Sequence, residues 1–182
     1  MSDYQPLTAI WTNRQAIYRP DGLPVVWNRC LLPLPFVLQL DEGQAAYAAA
    51  VRDAAKMWNR EVRLELLHEV ANPVDARVFI VTGSASAGGA AATTHSGDVV
   101  PESATVELRA LGGLSEGFFA AAHEFGHVLG LADNNWGTMG PLAAESGPRS
   151  RPSRRDHHWK NVPWTRPRAA ELEYLRCVYA SR

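Results

Sequence analysis

The sequence predicts an α+β fold: a twisted mixed sheet of four to five strands, a long N-terminal helix, a helix carrying the candidate site and a closing C-terminal helix. Three observations carry this expectation. An alanine-rich stretch, Ala45 to Asn59, repeats its apolar residues at helical spacing. Short apolar runs bounded by turn residues recur between residues 34 and 110. Helical periodicity then returns at residues 115–129 and 167–179.

Residues 1–33 read as an N-terminal extension of mixed polarity, with turns at Pro20-Asp21-Gly22 and Pro24 and a short strand at Val25–Trp27. Leu34–Leu40 reads as a buried strand. Asp41 is a candidate N-cap for a helix from Glu42 to about Asn59, whose Tyr47, Val51, Ala54, Ala55 and Trp58 share one face. Val62–Val70 starts as an alternating strand, with Val62, Leu64 and Leu66 set against Arg63 and Glu65. In Arg77–Thr82 the run Val78-Phe79-Ile80-Val81 is apolar throughout, as in a central strand. The small residues of Gly83–Ala92 suit a surface loop, and Ala92–His95 an edge strand. Ala104–Ala110 reads as the last strand, with Val106 and Leu108 on one face. Ser146–Arg168, rich in Pro, Arg and Ser, reads as an irregular wrap, and Pro167–Tyr179 as a helix. The length fits one domain: an extension at 1–33, a core at 34–145, a basic segment at 146–166 and a closing helix at 167–180.

The most informative stretch is His123-Glu124-Phe125-Gly126-His127-Val128-Leu129-Gly130-Leu131-Ala132-Asp133, which reads HExxHxxGxxD. On a helix, residues four apart lie on one face, about 40° apart and about 6 Å apart in rise. Imidazoles at His123 and His127 can therefore close on one metal ion, and Glu124 between them suits a general base. Phe118, Ala122, Phe125 and Leu129 form an apolar stripe roughly opposite, which lets one face pack while the other opens to a cleft. Ser115 is a plausible N-cap. Gly130 tolerates the positive φ at which such a helix stops, and past that turn Asp133 can return to the same ion as third ligand. Three protein ligands leave a fourth position for water, the pattern of a catalytic rather than a structural zinc site.

This motif resembles that of the metzincin zinc peptidases, and aspartate as third ligand is similar to their snapalysin-type branch. Met139, the only methionine downstream, resembles the methionine of the family's Met-turn, which lies beneath the metal. Along the rest of the chain, Ala45–Asn59 is similar to the first helix of matrixin-like domains. Val62–Val70 and Arg77–Thr82 are similar to the two strands that follow, Ala104–Ala110 to the last strand, and Pro167–Tyr179 to the closing helix. The resemblance implies a zincin-like fold, one catalytic zinc ion, endopeptidase activity and a polypeptide substrate lying extended along the edge strand Ala92–His95. Two features depart from the family. The Asp133-to-Met139 loop is short, and no cysteine-switch propeptide is present, since Trp27-Asn28-Arg29-Cys30-Leu31 does not match one.

Other residues carry weaker signals. His95 reads as a surface histidine more readily than as a border of the cleft, His68 as structural, and His157 and His158 as a solvated pair. Glu145 lies eighteen residues beyond His127, a spacing at which thermolysin-like enzymes place a third ligand, but Gly130 favours the tight turn to Asp133. Cys30 and Cys177 are expected as two buried thiols rather than a disulfide.

With 46% apolar residues and six tryptophans the chain can build a substantial core, and a net charge of −1 gives no global field towards nucleic acid or membrane. Residues 1–145 carry nine Lys/Arg and sixteen Asp/Glu, whereas residues 146–182 carry nine and three. A basic tail on an acidic body suits docking onto that body or onto an acidic partner. The competing reading is a structural component of a larger, viral or tail-like assembly that retains a peptidase fold, gripped through residues 146–168 and the termini. Nucleic-acid binding is not expected, and neither is membrane association. No signal peptide is read in Met1–Arg19 and no run spans a membrane, so cytoplasmic synthesis or incorporation into an assembly is expected.

Overall fold

The computed structural model describes residues 16–18, 22–45, 47–83, 91–97, 100–108, 114–133, 138–139 and 166–180. Five strands, β1 (Leu34–Gln39), β2 (Leu67–Glu69), β3 (Val78–Thr82), β4 (Ala91–Ser96) and β5 (Ser103–Leu108), form one mixed sheet in the order β2-β1-β3-β5-β4. β2, β1, β3 and β5 run parallel, and β4 is antiparallel to β5 at the edge. Three helices accompany the sheet: α1 (Tyr47–Val62), α2 (Leu114–Val128) and α3 (Ala169–Tyr179). The α+β class, the five-strand count, the edge position of the fourth strand and the closing helix agree with the sequence reading. None of the helices among the described residues is long and apolar enough to cross a membrane.

Boundaries moved where local hydrogen bonding overrode periodicity. Asp41 does not cap α1: it precedes a 3-10 turn, Glu42–Gln44, makes no side-chain capping bond, and the α-helix begins only at Tyr47. At the other end α1 runs on through Val62, so the strand expected from Val62 shrinks to Leu67–Glu69. Asn59 explains both shifts. Its carbonyl accepts from Arg63 N and Leu64 N, its Oδ1 accepts from Leu66 N and Leu67 N at 2.9 and 3.1 Å, and its Nδ2 donates to the Leu67 carbonyl. One side chain thus ties the helix end to the start of β2, with Arg63 at φ 64 making the turn. Val25–Trp27 joins no strand, and Ser115 lies inside the first turn of α2 rather than before it. β3 is central as expected, but only Val78 and Ile80 are fully buried, while Phe79 and Val81 are half-covered.

The core lies where α1 and α2 meet the inward residues of the sheet, among them Leu34, Phe36, Ile80, Val106 and Leu108. The helices approach closely because α2 presents glycine to α1: a Cβ at Gly117 would strike the Tyr47 ring. Trp58 of α1 is fully buried and donates its indole N–H to the Ala122 carbonyl at 2.8 Å. Burying an indole costs nothing in lost hydrogen bonding when the N–H finds such an acceptor. Cys30 and Cys177 were expected inside. Both are exposed and no disulfide joins them. Cys30 sits in a solvent-facing 3-10 turn, Arg29–Leu31, and Cys177 between the inward positions Tyr174 and Val178 of α3.

The end of α2 is the most tightly specified place in the fold. A helix leaves its last carbonyls without intrahelical partners. Here all four are satisfied. Leu131 N donates to the Gly126 carbonyl and Gly130 N to that of His127, both at 2.9 Å, the paired bonds of a Schellman turn. The Val128 carbonyl accepts from Trp27 Nε1 at 2.6 Å and from His95 Nε2 at 3.2 Å, and the Leu129 carbonyl from the Tyr179 hydroxyl at 3.1 Å. Gly130 makes the turn at φ 90, and a Cβ there would run into the Val25 carbonyl.

Gly130→Ala therefore combines left-handed strain, about 1–2 kcal/mol, with a collision against backbone. We expect its denaturant midpoint to fall by the equivalent of about 2 kcal/mol or more. An unchanged midpoint would show that the turn is not the constraint it appears from these bonds.

Candidate functional site

His123 and His127 sit one turn apart on α2, their rings 4.6 Å apart and perpendicular. His123 is buried and His127 partly so. Each ring is fixed through Nδ1: that of His123 lies 3.1 Å from the Thr138 carbonyl and that of His127 2.8 Å from the Leu131 carbonyl. A carbonyl can only accept, so both Nδ1 atoms carry hydrogen. In the neutral rings the lone pairs are then on Nε2, facing the same point. This is how metal-ligating imidazoles are usually oriented by their surroundings.

Asp133 meets them there. Its Oδ1 is 3.1 Å from His123 Nε2 and 3.3 Å from His127 Nε2, while the carboxylate stays largely open to solvent. A carboxylate oxygen does not sit stably against two lone pairs, so this contact requires a proton on an imidazole or a cation among the three atoms. Both spacings are also close to the edge of a tetrahedron whose ligands lie about 2.0–2.1 Å from its centre, an edge of about 3.3–3.4 Å. Two imidazole nitrogens and one carboxylate oxygen suit a zinc-sized cation by chemistry, and the two imidazole–carboxylate spacings are compatible with one.

Glu124 brings a second carboxylate. It is buried, and its oxygens and the nitrogens of His123 and His127 include ligand-capable atoms within 4.8 Å of one another. It is also engaged elsewhere: Thr93 of β4 donates its hydroxyl to Glu124 Oε2 at 2.6 Å. The competing contact from Thr93 Oγ1 to the Glu124 main-chain carbonyl is longer, 3.3 Å. Sequence reasoning overlooked Thr93. It lies in the expected edge strand, but which face of that strand meets the helix is decided by register with α2.

Met139 is fully buried against α2, where a Cβ at Gly126 would run into its sulfur. The preceding Thr138 supplies the carbonyl that orients His123. His95 is not the surface histidine the sequence suggested. It is partly buried, bonded to the Val128 carbonyl and 6.3 Å from the Trp27 ring. His68 sits in β2, half-buried, with Nδ1 unbonded. Glu145, His157, His158 and the basic segment 146–165 lie outside the described residues.

The local field separates the histidines. Burial disfavours the charged form of His127, but the Asp133 carboxylate, the Glu124 charge and the Leu131 carbonyl outweigh it, and its pKa rises above the ordinary 6.5. Hydrogen bonds from His123 and then His127 hold the Asp133 carboxyl well below the usual range despite partial burial. Burial lowers His95 below 6.5, its bond to Val128 compensating only in part.

No family model matches the chain, and no curated protein is significantly similar to it.

In metal-free protein, the ring resonances of His127 are expected to titrate above 6.5 and those of His95 below it. The raised value of His127 contributes stability that is complete below its unfolded pKa and disappears as pH rises through the folded one. Asp133 works in the opposite sense, stabilising above its unfolded value and ceasing to do so as acid protonates it. A proton NMR titration in which His127 titrates below His95 would refute this electrostatic account.

Proposed function

We propose that this chain is a zinc-dependent endopeptidase of the metzincin kind, with His123, His127 and Asp133 as ligands of one catalytic ion and Glu124 as general base. The observation that carries the reading is the convergence of His123 Nε2, His127 Nε2 and Asp133 Oδ1 within 3.1–3.3 Å across each imidazole–carboxylate pair, with both Nδ1 atoms already committed to backbone carbonyls. An ion bound by these residues supplies Lewis acidity, polarising a peptide carbonyl and acidifying a water molecule.

The chain's own groups account for the remaining chemistry. Glu124 is buried beside the ligands and can accept a proton from water and deliver it to the departing amine. Peptide hydrolysis needs both transfers, because the amine leaves poorly unless protonated. Among the described residues β4 ends the sheet, and its outer backbone groups suit pairing with an extended polypeptide. That edge is fastened to α2 by the Thr93 and His95 bonds, which keeps such a substrate alongside the catalytic helix. Met139 packs, fully buried, against the ligand-bearing helix at Gly126.

The test compares wild type with Glu124→Ala by metal analysis and by digestion of casein and a peptide library. We expect about one zinc per chain in both proteins and cleavage by the wild type alone, with activity in the variant reduced at least about 100-fold. Cleavage that survives in Glu124→Ala, or a wild type that takes up no zinc, would contradict the reading.

A further inference from the structure

Two carboxylates lie within reach of the same imidazoles, yet the proposed chemistry needs them in different roles. Asp133 is expected to bind the ion, and Glu124 to exchange protons. Nothing in their chemical type separates them, since both are carboxylates and either could bind zinc. Their surroundings differ sharply. Asp133 is largely exposed and its Oδ1 lies against the two imidazoles. Glu124 is buried and one of its oxygens is held by a neutral hydroxyl on a neighbouring element.

We propose that Thr93 is the positioning residue that reserves Glu124 for proton transfer and keeps it out of the metal's ligand set. The proposal rests on the peptidase reading and adds to it the cause of the division of labour. At 2.6 Å the Thr93–Glu124 bond is short, as expected when the acceptor is a carboxylate. It ties down Oε2 and leaves Oε1 for water. Because it comes from β4, it also draws the carboxylate towards the sheet edge.

The strand can hold this position because β4 and α2 advance in step. Thr93 and His95 are two residues apart on a strand, about 6.8 Å. Their partners, Glu124 and Val128, are four apart on a helix, about 6 Å. Successive inward side chains of β4 therefore meet successive turns of α2, and the His95–Val128 bond fixes the register that places Thr93 at Glu124. A hydroxyl is well suited to this task. It donates one hydrogen bond without adding a charge that would compete with the ligands.

The test uses Thr93→Val, which keeps the β-branched shape and removes the hydroxyl, and Thr93→Ser, which keeps the hydroxyl. Each is measured in two ways, by peptide hydrolysis and by the visible spectrum of the cobalt-substituted protein. We expect Thr93→Val to lower kcat by about 10- to 100-fold with little change in KM. Its cobalt absorption should weaken as the released Glu124 raises the coordination number. Thr93→Ser should match wild type in both measurements. A Thr93→Val protein with the wild-type cobalt spectrum, or a Thr93→Ser protein as impaired as Thr93→Val, would overturn the proposal. Failure of the underlying peptidase reading is distinguishable, because it would show first in the wild type, as absence of cobalt uptake or of cleavage.

Discussion

The Schellman turn at Gly130 is the constraint on which the rest depends. It stops α2 at Val128 and, with Gly130 three residues after His127, sends the chain back along the helix. That reversal places the Leu131 carbonyl on His127 Nδ1 and brings the Asp133 carboxylate to both Nε2 atoms. The turn is enforced from outside as well as within. The Val25 carbonyl stands where a side chain would be, and Ile17 N donates to the Gly130 carbonyl at 2.8 Å, so the N-terminal segment closes over the glycine. Trp27 and Tyr179 then take the remaining helix-end carbonyls, connecting the site to the segment before β1 and to α3. Elements distant in sequence thus share one purpose, which is to end a helix at a fixed residue.

A second principle is that each of the clustered side chains His123, His127 and Glu124 is oriented by an uncharged group. Main-chain carbonyls orient both imidazoles, and a threonine hydroxyl holds the inner carboxylate. Such fixed partners reduce the reorganisation needed when charge develops during a reaction. The buried methionine packed at Gly126 works in the same direction, since a packed helix cannot shift to let His123 and His127 diverge.

Much of this was legible in the sequence, for identifiable reasons. The motif His123–Asp133 was readable because helical spacing, a glycine stop and the two-residue return to Asp133 are all local. The edge strand before the helix and the middle strand Val78–Thr82 were readable from polarity and length. The start of α1 and the extent of β2 were misread because a 3-10 turn and the Asn59 side chain, neither of which has a periodic signature, set them. The burial expected for Cys30 and Cys177 failed for a related reason: a residue type predicts burial only on average, and both fell on outward positions. Thr93, Trp27 and His95 act through partners more than thirty residues away, so no local pattern could have assigned their roles.

The most direct measurement is X-ray absorption at the zinc edge of the zinc-loaded protein. The account predicts four light ligands at about 2.0–2.1 Å, with the outer scattering of two imidazoles and no sulfur. A fit requiring three or more imidazoles, any thiolate, or a first shell of oxygen alone would contradict the assignment of His123, His127 and Asp133 as the ligand set.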